Sequence, residues 1–567
     1  MKRFILWYFI FSVWIYALPP GVEQEIQKSG IAKKDISIYI KELGYRNSVI
    51  ASLNATRTRT PASVIKVLTI YASILKLGFD YRWPTQFYRN GSLSGGVLDG
   101  DLVIKGFGDP TLSIDELEDI VQRIRAQDIT RITGDIIIDR SYFKVGTKNS
   151  SGFDAHPYSP YNAMPDAMMF NERVSTICVV PKQNNVTKET VDHSYSVLNQ
   201  LKTVNKPCRG RYSWPAVKID NTQVIPVVLL KGKISKRCGK RKICKVLTKP
   251  YRSFYYALKD ALVQSGVEVQ GTLHLRKVPT DARILFTHYS QPLEKIVSET
   301  AKKSNNLYAR HLLLMLGARQ YGAPATISKG RKAVVQILRN RGALGAGALK
   351  IDNGSGLSRS SRINAKILAE LFENAYRHYG QRWMKTLSIA GVDGTIKKRF
   401  RGTIVRKRAW MKTGTLKHVK NIGGYVKSRS GRLYTVVILI NTKKGRWKAA
   451  KLQDNIIQWL VRYNGGTVQK SIRQKPVAKK ESGVMKTKPP QKKAKHVQKY
   501  YIQAGRFSRF PDQGYLSKIE NLGLRYTVRH ETQYRVLIGV YKNKQSAKKE
   551  LQKVRKLINA GAFVVKL

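Results

Sequence analysis

Acidic residues are scarce in this chain of 567 residues: 36 Asp and Glu stand against 103 Lys and Arg, which gives a formal net charge of +67. Such a charge favours polyanionic surroundings, and nucleic acid, an anionic membrane and an anionic polymer of the cell wall attract it by the same physics. Metal-ligand patterns are also missing. The four cysteines form no Cys-x-x-Cys pair, and the nine histidines no His-Glu-x-x-His motif. A zinc site is therefore disfavoured.

A hydrophobic run long enough to cross a bilayer is missing at the N-terminus. The apolar residues at 4–15, interrupted by Ser12, follow Lys2 and Arg3, and they fall short of the ~20 residues that a membrane-spanning helix needs. This layout, with the small residue Ala17 after the run, is typical of a signal peptide. We predict that residues 1–17 are cleaved and the body is exported. An uncleaved membrane anchor is the alternative.

Length and a hydrophobic content of 42% exclude a fibrous or wholly disordered chain and imply several domains. Residues 84–284 contain short β-like runs between Gly, Asp and Pro turns, which predicts inserted, mostly β domains. Residues 467–499 contain eleven Lys or Arg and one acid with almost no large apolar side chains. They cannot bury a core, so 466–499 is assigned to a basic disordered linker. Residues 500–567 return to apolar alternation in the order β, α, β, β, α, β, which predicts a small α+β domain.

All four cysteines, Cys178, Cys208, Cys238 and Cys244, lie in one stretch of fewer than 70 residues. An exported protein can keep disulfides, and four cysteines allow three pairings. Cys238 and Cys244 flank a basic Gly-Lys-Arg turn. A hairpin disulfide between them, with Cys178 bonded to Cys208, is one reasonable pairing, and the sequence leaves the other two open.

The first chemical motif is Ser-Val-Ile-Lys at 63–66, at the start of an apolar run that continues to Leu77. Thr60 as N-cap and Pro61 in the first turn predict that a buried helix begins here. Residues three apart share a helix face, so the Lys66 amine can reach the Ser63 hydroxyl. Free amides and the helix dipole in the first turn favour a developing negative charge.

Two further motifs follow along the chain. Ser304-Asn305-Asn306 separates a helix ending near Lys303 from one starting at Leu307, and alone it indicates only a helix cap. Lys412-Thr413-Gly414-Thr415 lies in a predicted strand at 409–415, where the glycine permits close approach of a ligand. A hairpin with arms at 422–426 and 433–440 follows. Further helices are predicted at 293–318, 328–340 and 363–378.

Ser-x-x-Lys, Ser-x-Asn and Lys-Thr-Gly in this order are the set of penicillin-binding proteins and serine β-lactamases. About 240 residues separate the first two motifs, and a class A β-lactamase lacks such an insertion. The chain therefore resembles the D-alanyl-D-alanine carboxypeptidases and endopeptidases of low-molecular-mass class C penicillin-binding proteins, over about residues 25–460. Three further stretches agree with that family: Gly106-Phe107-Gly108-Asp109-Pro110, Asp352-Asn353-Gly354-Ser355-Gly356 and Gly391-Val392-Asp393-Gly394-Thr395. Asn305 stands where the family often has Asp.

The resemblance implies a multidomain protein. A serine transpeptidase/β-lactamase-like α/β (α+β) domain is expected from residues 21–83 and 285–465, interrupted by the inserted domains at 84–284. Residues 500–567 resemble the SPOR domain, which is similar at Tyr501 to Ser508 and at Tyr534 to Tyr541. That family binds peptidoglycan glycan strands, and the candidate contacts by analogy are Gln503, Ser508, Tyr534 and Arg535.

The resemblance also implies roles for the three motifs. Ser63 is the expected nucleophile and Lys66 its base, while Ser304 relays a proton to the leaving amine and Asn306 positions the substrate amide. Lys412 and Thr413 are expected to hold the substrate carboxylate, and the amides of Ser63 and Thr415, beside Gly414, to form the oxyanion hole. No metal or organic cofactor is expected.

The implied function is periplasmic cleavage of peptidoglycan stem peptides, with β-lactams as inhibitors and division-site proteins or an anionic membrane or wall surface as further partners. A catalytically idle wall-binding scaffold is one alternative, although its expected mark, a lost motif residue, is missing. A basic nucleic-acid-binding protein is another, but no recognition helix or aromatic platform is visible, so nucleic acid is not an expected partner. Ser355 lacks the Gly-x-Ser-x-Gly frame of a hydrolase nucleophile and is interpreted as part of a turn.

Overall fold

A computed structural model describes residues 18–464 and 500–566, except 45–47, 147, 149 and 346 in the first range and 509–510, 512–514, 517, 520–521, 523, 525, 531–532 and 542 in the second. The predicted signal peptide at 1–17 and the predicted linker at 466–499 lie outside the described residues. The chain divides into two compact units, Met1–Gln469 and Lys470–Leu567.

The first unit mixes helices and strands along its whole length. Its described α-helices are α1 (Pro20–Ser29), α2 (Lys66–Leu77), α3 (Leu117–Arg125), α4 (Pro250–Gln264), α5 (Leu293–Lys302), α6 (Asn306–Tyr321), α7 (Ile327–Asn340), α8 (Ala365–Thr386) and α9 (Arg446–Arg462). Its described strands are β1 (Ile36–Leu43), β2 (Val49–Leu53), β3 (Pro84–Ser94), β4 (Val97–Gly106), β5 (Arg131–Ile132), β6 (Ile136–Asp139), β7 (Ser175–Val180), β8 (Asn185–Lys188), β9 (Ser196–Val204), β10 (Ala216–Asp220), β11 (Val227–Ser235), β12 (Arg241–Lys245), β13 (Glu268–Val269), β14 (Leu273–His274), β15 (Arg283–Tyr289), β16 (Ser388–Ile389), β17 (Ala409–Leu416), β18 (Val419–Lys427) and β19 (Leu433–Asn441).

A six-stranded antiparallel sheet in the order β16-β17-β18-β19-β1-β2 carries the candidate site. Strand β19 is apolar almost throughout because both faces of the sheet are covered. Val436, Ile438 and Ile440 pack in a core with residues of α1 and α9, whereas Val437 and Leu439 pack with α2 and α8 on the other face. Successive strand side chains point to opposite faces, so a continuous apolar run fits a strand between two helical layers.

The entry to α2 differs from the prediction. The α-helix begins at Lys66, and residues Ala62–Ile65 form a 3-10 turn before it. Thr60 is not the N-cap: its backbone N–H donates to Asn441 Oδ1 at 2.9 Å, and its carbonyl accepts from Asn421 Nδ2 at 2.9 Å. Ala62 has a φ of +49°, which a right-handed helix cannot contain. The central sheet, rather than a cap, therefore fixes this entry.

The other predicted elements around the site are present with shifted bounds. The helical pattern at 293–318 forms two helices, α5 and α6, which confirms the predicted break at the second motif, where Ser304 has a left-handed φ of +59°. The helices predicted at 328–340 and 363–378 correspond to α7 and α8. Helix α8 continues past a kink at Gly380 to Thr386. The predicted strand and hairpin correspond to β17, β18 and β19.

The region between α2 and α5 holds three sheets. Strands β13-β5-β4-β3-β15, with β6 and β14 attached, form a seven-stranded sheet on which α3 and α4 pack. Two three-stranded sheets, β10-β11-β9 and β12-β7-β8, share a smaller core. This mostly β content agrees with the composition of 84–284, and the domain boundaries themselves remain a prediction.

Of the three possible disulfide pairings, the one suggested by the turn between Cys238 and Cys244 is wrong. Cys208 is bonded to Cys238, while Cys178 is free and buried and Cys244 is free and exposed. Strands β9 and β11 are parallel neighbours in register, so the segments that follow them, which carry Cys208 and Cys238, leave the sheet at the same end. Cys244 instead lies within β12, opposite Thr176 of β7, which takes it out of the turn after Cys238.

The second unit is a four-stranded antiparallel sheet in the order β21-β22-β20-β23. Its elements are β20 (Tyr500–Phe507), β21 (Tyr526–His530), β22 (Tyr534–Tyr541), α10 (Lys544–Leu557) and β23 (Phe563–Lys566). Helix α10 packs its Ala547 and Val554 against Ile502 and Ile538 of the sheet. Half of the residues of the helix predicted at 513–522 lie outside the described part of the chain, and 515, 516, 518 and 519 are helical. Within the described parts of the chain, no helix combines the length and the hydropathy that crossing a bilayer requires.

Candidate active site

Ser63 lies half-buried in the 3-10 turn that leads into α2, and β17 passes directly beside it. A Cβ added to Gly414 of β17 would lie 3.0 Å from the Ser63 backbone nitrogen and 2.7 Å from the Pro61 carbonyl oxygen. Both neighbours are backbone atoms that cannot swing away, so only glycine allows this approach. The absence of a side chain at Gly414 thus brings the strand that carries Lys412 and Thr415 up to the candidate nucleophile.

Lys66 connects the first motif with the second. Its side chain is fully buried, and its Nζ lies 2.9 Å from Ser63 Oγ, 2.7 Å from Asn306 Oδ1 and 2.5 Å from the Ser355 carbonyl oxygen. A lysine at the first position of α2 reaches back over the preceding turn, which is why a spacing of three residues brings it to Ser63.

The surroundings of Lys66 favour its neutral form. Burial lowers the pKa of its amine well below the ordinary value, and the positive charges of Lys412 and Arg310 lower it further. A neutral amine has two N–H donors and one lone pair. Two donors suit Asn306 Oδ1 and the Ser355 carbonyl, so the lone pair is left to accept the proton of the Ser63 hydroxyl.

The second motif occupies the short link between α5 and α6. Asn305 is the N-cap of α6, and its Oδ1 accepts from the Tyr308 N–H at 3.1 Å. Cap geometry turns the next side chain, Asn306, toward Lys66, while Asn306 Nδ2 donates to the Tyr161 carbonyl at 3.1 Å. These two contacts fix which end of the Asn306 amide faces Lys66. The left-handed Ser304 costs about 1–3 kcal/mol of backbone strain, which the surrounding structure must offset.

The third motif reaches the second through Lys412. Its fully buried Nζ donates to Ser304 Oγ and to the Thr413 carbonyl, both at 2.8 Å. Burial lowers the pKa of Lys412 to about 7. The Thr413 hydroxyl donates to Thr395 Oγ1 at 2.8 Å. The structure therefore contains two hydrogen-bonded groups at this site. One consists of Ser63, Lys66 and Asn306, and the other of Lys412 and Ser304.

Several residues of the site have no recognisable sequence signal. Ser355 contributes a main-chain carbonyl to Lys66, and its hydroxyl is bound within its own turn by Asn353 Oδ1 at 2.8 Å. This agrees with its interpretation as a turn residue, and only its glycine-flanked position could have drawn attention to its backbone. Arg310, one turn after Asn306 in α6, is buried and donates to the Ala163 carbonyl.

The inserted region contributes Glu172 to the second motif. Its Oε1 accepts from the Tyr308 hydroxyl at 2.6 Å and its Oε2 from Asn305 Nδ2 at 3.2 Å. Three consecutive residues, Asn171, Glu172 and Arg173, have left-handed φ angles of +47°, +50° and +59°. This unusual turn aims the carboxylate at the start of α6. A single glutamate of the inserted region thus holds the loop that positions Ser304 and Asn306.

The predicted glycan contacts lie in the sheet of the second unit. Gln503 is buried in β20, and its Oε1 accepts from Arg535 Nε of β22 at 2.8 Å. Tyr534 is half-buried, and Ser508, directly after β20, is exposed. The contact between Gln503 and Arg535 stabilises the pairing of the two strands, and the role of the four residues in glycan binding stays a prediction.

The first unit therefore offers a hydroxyl beside a buried amine, backbone amides at the start of a helix, and a second buried amine next to a serine. This combination suits acyl transfer, in which a nucleophile, its base and donors for a developing oxyanion are needed within hydrogen-bond reach of one another.

Comparisons with known proteins agree with this chemistry. Residues 20–463 match the model of the D-Ala-D-Ala carboxypeptidase 3 (S13) family, and residues 497–566 match the SPOR domain. D-alanyl-D-alanine carboxypeptidase DacB of Haemophilus influenzae is 26% identical over 405 residues, which cover 70% of this chain and 83% of that protein. D-alanyl-D-alanine carboxypeptidase of Actinomadura sp. strain R39 is 27% identical over 425 residues, which cover 71% of this chain and 77% of that protein.

Solved structures give the same result for the fold. The crystal structure of penicillin binding protein 4 (dacB) from Haemophilus influenzae aligns with a TM-score of 0.67 at 25% identity, covering 78% of this chain and 99% of that chain. The same protein in complex with a novel β-lactam aligns with a TM-score of 0.64, also at 25% identity, covering 78% of this chain and all of that chain. The predicted fold class, a mixed α/β peptidase domain followed by a small α+β domain, is confirmed.

Proposed function

Because the chain belongs to the D-Ala-D-Ala carboxypeptidase 3 (S13) family and carries a C-terminal SPOR domain, we propose that it hydrolyses D-alanyl-D-alanine bonds of peptidoglycan stem peptides through an acyl-enzyme on Ser63. The observation that carries this proposal is the contact of 2.9 Å between Ser63 Oγ and the buried Nζ of Lys66. A serine hydroxyl is a weak nucleophile until a neighbouring base takes its proton, and a neutral amine in contact with it meets that need.

Acylation begins with proton transfer from Ser63 to neutral Lys66. The Oγ forms a bond to the carbonyl carbon of the penultimate D-Ala, and the carbonyl oxygen becomes an oxyanion next to the N–H groups of Ser63 and Thr415. Loss of one such donor typically costs about 3–4 kcal/mol of transition-state stabilisation. The close packing of Gly414 against Ser63 N supports this assignment, since it aligns the strand with the turn.

The C–N bond then breaks, and the leaving amine must gain a proton. Ser304 donates it and is reprotonated by Lys412, whose Nζ lies 2.8 Å from Ser304 Oγ. The product D-Ala leaves. The proton that Lys66 took from Ser63 returns through solvent to Lys412, so that Lys66 is neutral again and Lys412 charged. A water molecule then gives a proton to Lys66 and attacks the ester carbonyl, and the Ser63 C–O bond breaks as Oγ takes that proton from Lys66. No proton is gained or lost over the cycle.

Substrate binding involves the third motif and Asn306. Charged Lys412 and the Thr413 hydroxyl hold the terminal carboxylate, and Asn306 positions the substrate amide while keeping Lys66 in place. The same acyl-enzyme forms whether the leaving amine is a terminal D-Ala or the side-chain amine of a neighbouring cross-linked stem peptide. We therefore extend the proposal to endopeptidase activity on cross-links.

The SPOR domain supports delivery of the enzyme to glycan strands outside the cytoplasm, where its substrate lies. In this proposal, Gln503, Ser508, Tyr534 and Arg535 contribute to glycan binding. Removal of residues 500–567 should reduce pelleting with purified sacculi while leaving cleavage of small soluble muropeptides unchanged.

The nucleophile can be tested by incubating the chain without residues 1–17, and its Ser63→Ala variant, with benzylpenicillin and measuring the intact mass. A β-lactam is bound by the Haemophilus influenzae neighbour. We expect a stable adduct on the wild type and none on the variant. A wild-type protein that is folded by circular dichroism but forms no adduct would contradict the acyl-enzyme and favour an idle scaffold.

The two peptidase activities can be separated with defined muropeptides. A monomer ending in D-Ala-D-Ala should lose one D-Ala, and a cross-linked dimer should yield two monomers, both only when Ser63 is present. If the dimer stays intact while the monomer is trimmed, the endopeptidase part of the proposal is wrong and the carboxypeptidase part stands.

A further inference from the structure

The β10-β11-β9 sheet of the inserted region is covered on one side only. Val228, Leu230 and Ile234 of β11 point inward and pack with residues of β7 and β12. The intervening side chains of the three strands form the opposite, solvent-exposed side, which we call the outer face. A sheet with one apolar face and one solvated face is common, and what distinguishes this sheet is the composition of its solvated face.

Lysines dominate the outer face. Lys202, Lys231 and Lys233 are exposed, and Lys233 lies directly opposite Lys202 in the register of β9 and β11. Among the described residues, none of these three forms an ion pair or a side-chain hydrogen bond with an acid. Lys218 of β10 lies on the same side, near Asp220.

The sequence around this sheet is unbalanced in charge even for this basic protein. Residues 196–245 contain thirteen Lys or Arg and a single acid, Asp220. The Asp220 carboxylate is already bound locally, because its Oδ1 accepts from both the N–H and the hydroxyl of Thr222 at 3.0 and 2.6 Å. Asp220 therefore offsets at most the charge of Lys218, and among the described residues Lys202, Lys231 and Lys233 have no acidic partner.

Exposed apolar side chains accompany the lysines. Leu198 lies in the middle of the outer face, 50% exposed, beside Leu229 of β11 and one register step from Lys231. Trp214, just before β10, is 55% exposed, and the Arg241 guanidinium lies 5.1 Å from its ring centre. Lysines around exposed leucine and tryptophan are the composition of surfaces that rest on the headgroup region of a bilayer, where basic groups meet phosphates and Trp lies at the boundary.

We propose that the outer face of the β10-β11-β9 sheet docks the protein on an anionic phospholipid bilayer. Charge complementarity provides the attraction, while Leu198 and Trp214 favour a lipid surface over a polar glycan or phosphate polymer, which offers no apolar volume. This role is separate from peptide cleavage and does not rest on the proposed catalytic function.

The proposal can be tested with vesicles of phosphatidylcholine, with and without phosphatidylglycerol, and the chain without residues 1–17. One variant carries Lys202→Gln, Lys231→Gln and Lys233→Gln. The matched control loses three exposed lysines elsewhere in the same unit: Lys144→Gln, Lys332→Gln and Lys350→Gln.

Each lysine near an anionic bilayer strengthens binding by about fivefold, so we expect the outer-face variant to bind phosphatidylglycerol vesicles about 100-fold more weakly than the wild type. The control should lose far less, and binding of the wild type should weaken as salt rises. A further variant, Leu198→Ser with Trp214→Ser, should weaken binding at high salt, where the electrostatic attraction is screened.

Three outcomes would overturn the proposal. Equal losses in the outer-face and control variants would mean that diffuse charge, rather than this face, binds lipid. Unchanged binding of the outer-face variant would show that another surface does so. A variant that keeps vesicle binding but no longer pellets with sacculi would assign the face to the wall. If circular dichroism shows that the triple variant is unfolded, the single substitution Lys231→Gln is tested in its place. Its affinity for phosphatidylglycerol vesicles should fall by about fivefold.

Discussion

The two best-defined groups of lysines in this protein lie in environments of opposite kind. Lys66 and Lys412 are fully buried where the central sheet meets α2, and each is held by side-chain or main-chain acceptors. Lys202, Lys231 and Lys233 stand exposed on a sheet that is covered on one side only. In the function proposed above, the same side chain is a proton-transfer group in one region, whereas in the other it carries surface charge.

Burial accounts for the difference. Removing an amine from water disfavours its charged form, and this lowers the pKa of both site lysines, that of Lys412 to about 7. An amine near neutrality can give and take protons at the pH of the cell. Exposed lysines keep their hydration, so their interactions are long-ranged, additive and sensitive to salt.

The largest effect is expected when Lys66 is replaced, and it tests whether the buried lysines differ from the exposed ones in function. Replacement with methionine keeps most of the buried volume but removes the base, and general base catalysis contributes roughly 10²–10⁴-fold. We expect Lys66→Met to lower the second-order rate constant for acylation by benzylpenicillin by that factor. The matched exposed variant, Lys231→Met, should stay within about twofold, because surface substitutions rarely disturb a distant site.

Acylation of Lys66→Met at the wild-type rate would place the base elsewhere and remove the functional meaning of its burial. A slow rate is informative only if Lys66→Met is folded, so its circular dichroism and thermal midpoint must be compared with those of the wild type. A loss of structure would be read from those signals, and Lys66→Arg, which keeps a donor but cannot become neutral, would then serve as the second variant.

The sequence predicts the local parts of the site well and the assembled parts poorly. The pair Ser63 and Lys66 is set by three residues of spacing, and Gly414 is marked by its own identity, so both are visible in the chain. The Ser355 carbonyl is main chain, which every residue possesses, and Glu172 reaches α6 only because an unusual left-handed turn aims it there. Such contacts arise from the fold and leave no local signal.

The same limit explains the two corrections. The disulfide depends on the parallel alignment of β9 and β11, which spacing between cysteines cannot reveal. The entry to α2 depends on Asn421 and Asn441, far along the chain, which bind the Thr60 backbone. In both cases the sequence near the feature suggested a local solution, and a contact between distant segments replaced it.

A second, smaller effect concerns pH and sharpens the contrast between the two kinds of lysine. With its pKa lowered to about 7, Lys412 is mostly charged below that pH and mostly neutral above it. A neutral amine cannot attract the substrate carboxylate. The KM for a D-Ala-terminated peptide should therefore rise by up to roughly tenfold per pH unit above 7, a slope set by the loss of one proton.

The matched control for this pH dependence is Lys412→Arg, because a guanidinium stays charged over the whole range. Its KM should be higher than that of the wild type near pH 6, since the larger group fits the buried site less well, but nearly constant from pH 6 to about 9. A wild-type KM that is equally flat would mean that Lys412 stays charged or does not bind the carboxylate.

The smallest effect is expected at Glu172, where the inserted region meets the second motif. Glu172→Gln keeps the shape of the side chain but removes its charge and replaces one acceptor oxygen with an NH2 group, so both contacts lose their charged acceptor and one of them must reverse or break. A hydrogen bond to a charged group contributes about 1.5–3 kcal/mol. If part of this holds Ser304 and Asn306 in place, kcat should fall by about tenfold.

Tyr308→Phe removes only one of the two contacts and should lower kcat by less than Glu172→Gln. Both variants should change KM less than kcat, because the carboxylate site at Lys412 and Thr413 is untouched and only the contact of Asn306 with the substrate is disturbed. A merely structural role would instead lower the thermal midpoint and the fraction of enzyme that benzylpenicillin can acylate, with kcat per acylatable site unchanged. Comparing kcat per acylatable site with the acylatable fraction therefore decides between two roles of the inserted region. It either stabilises the fold only or also positions the second motif for catalysis.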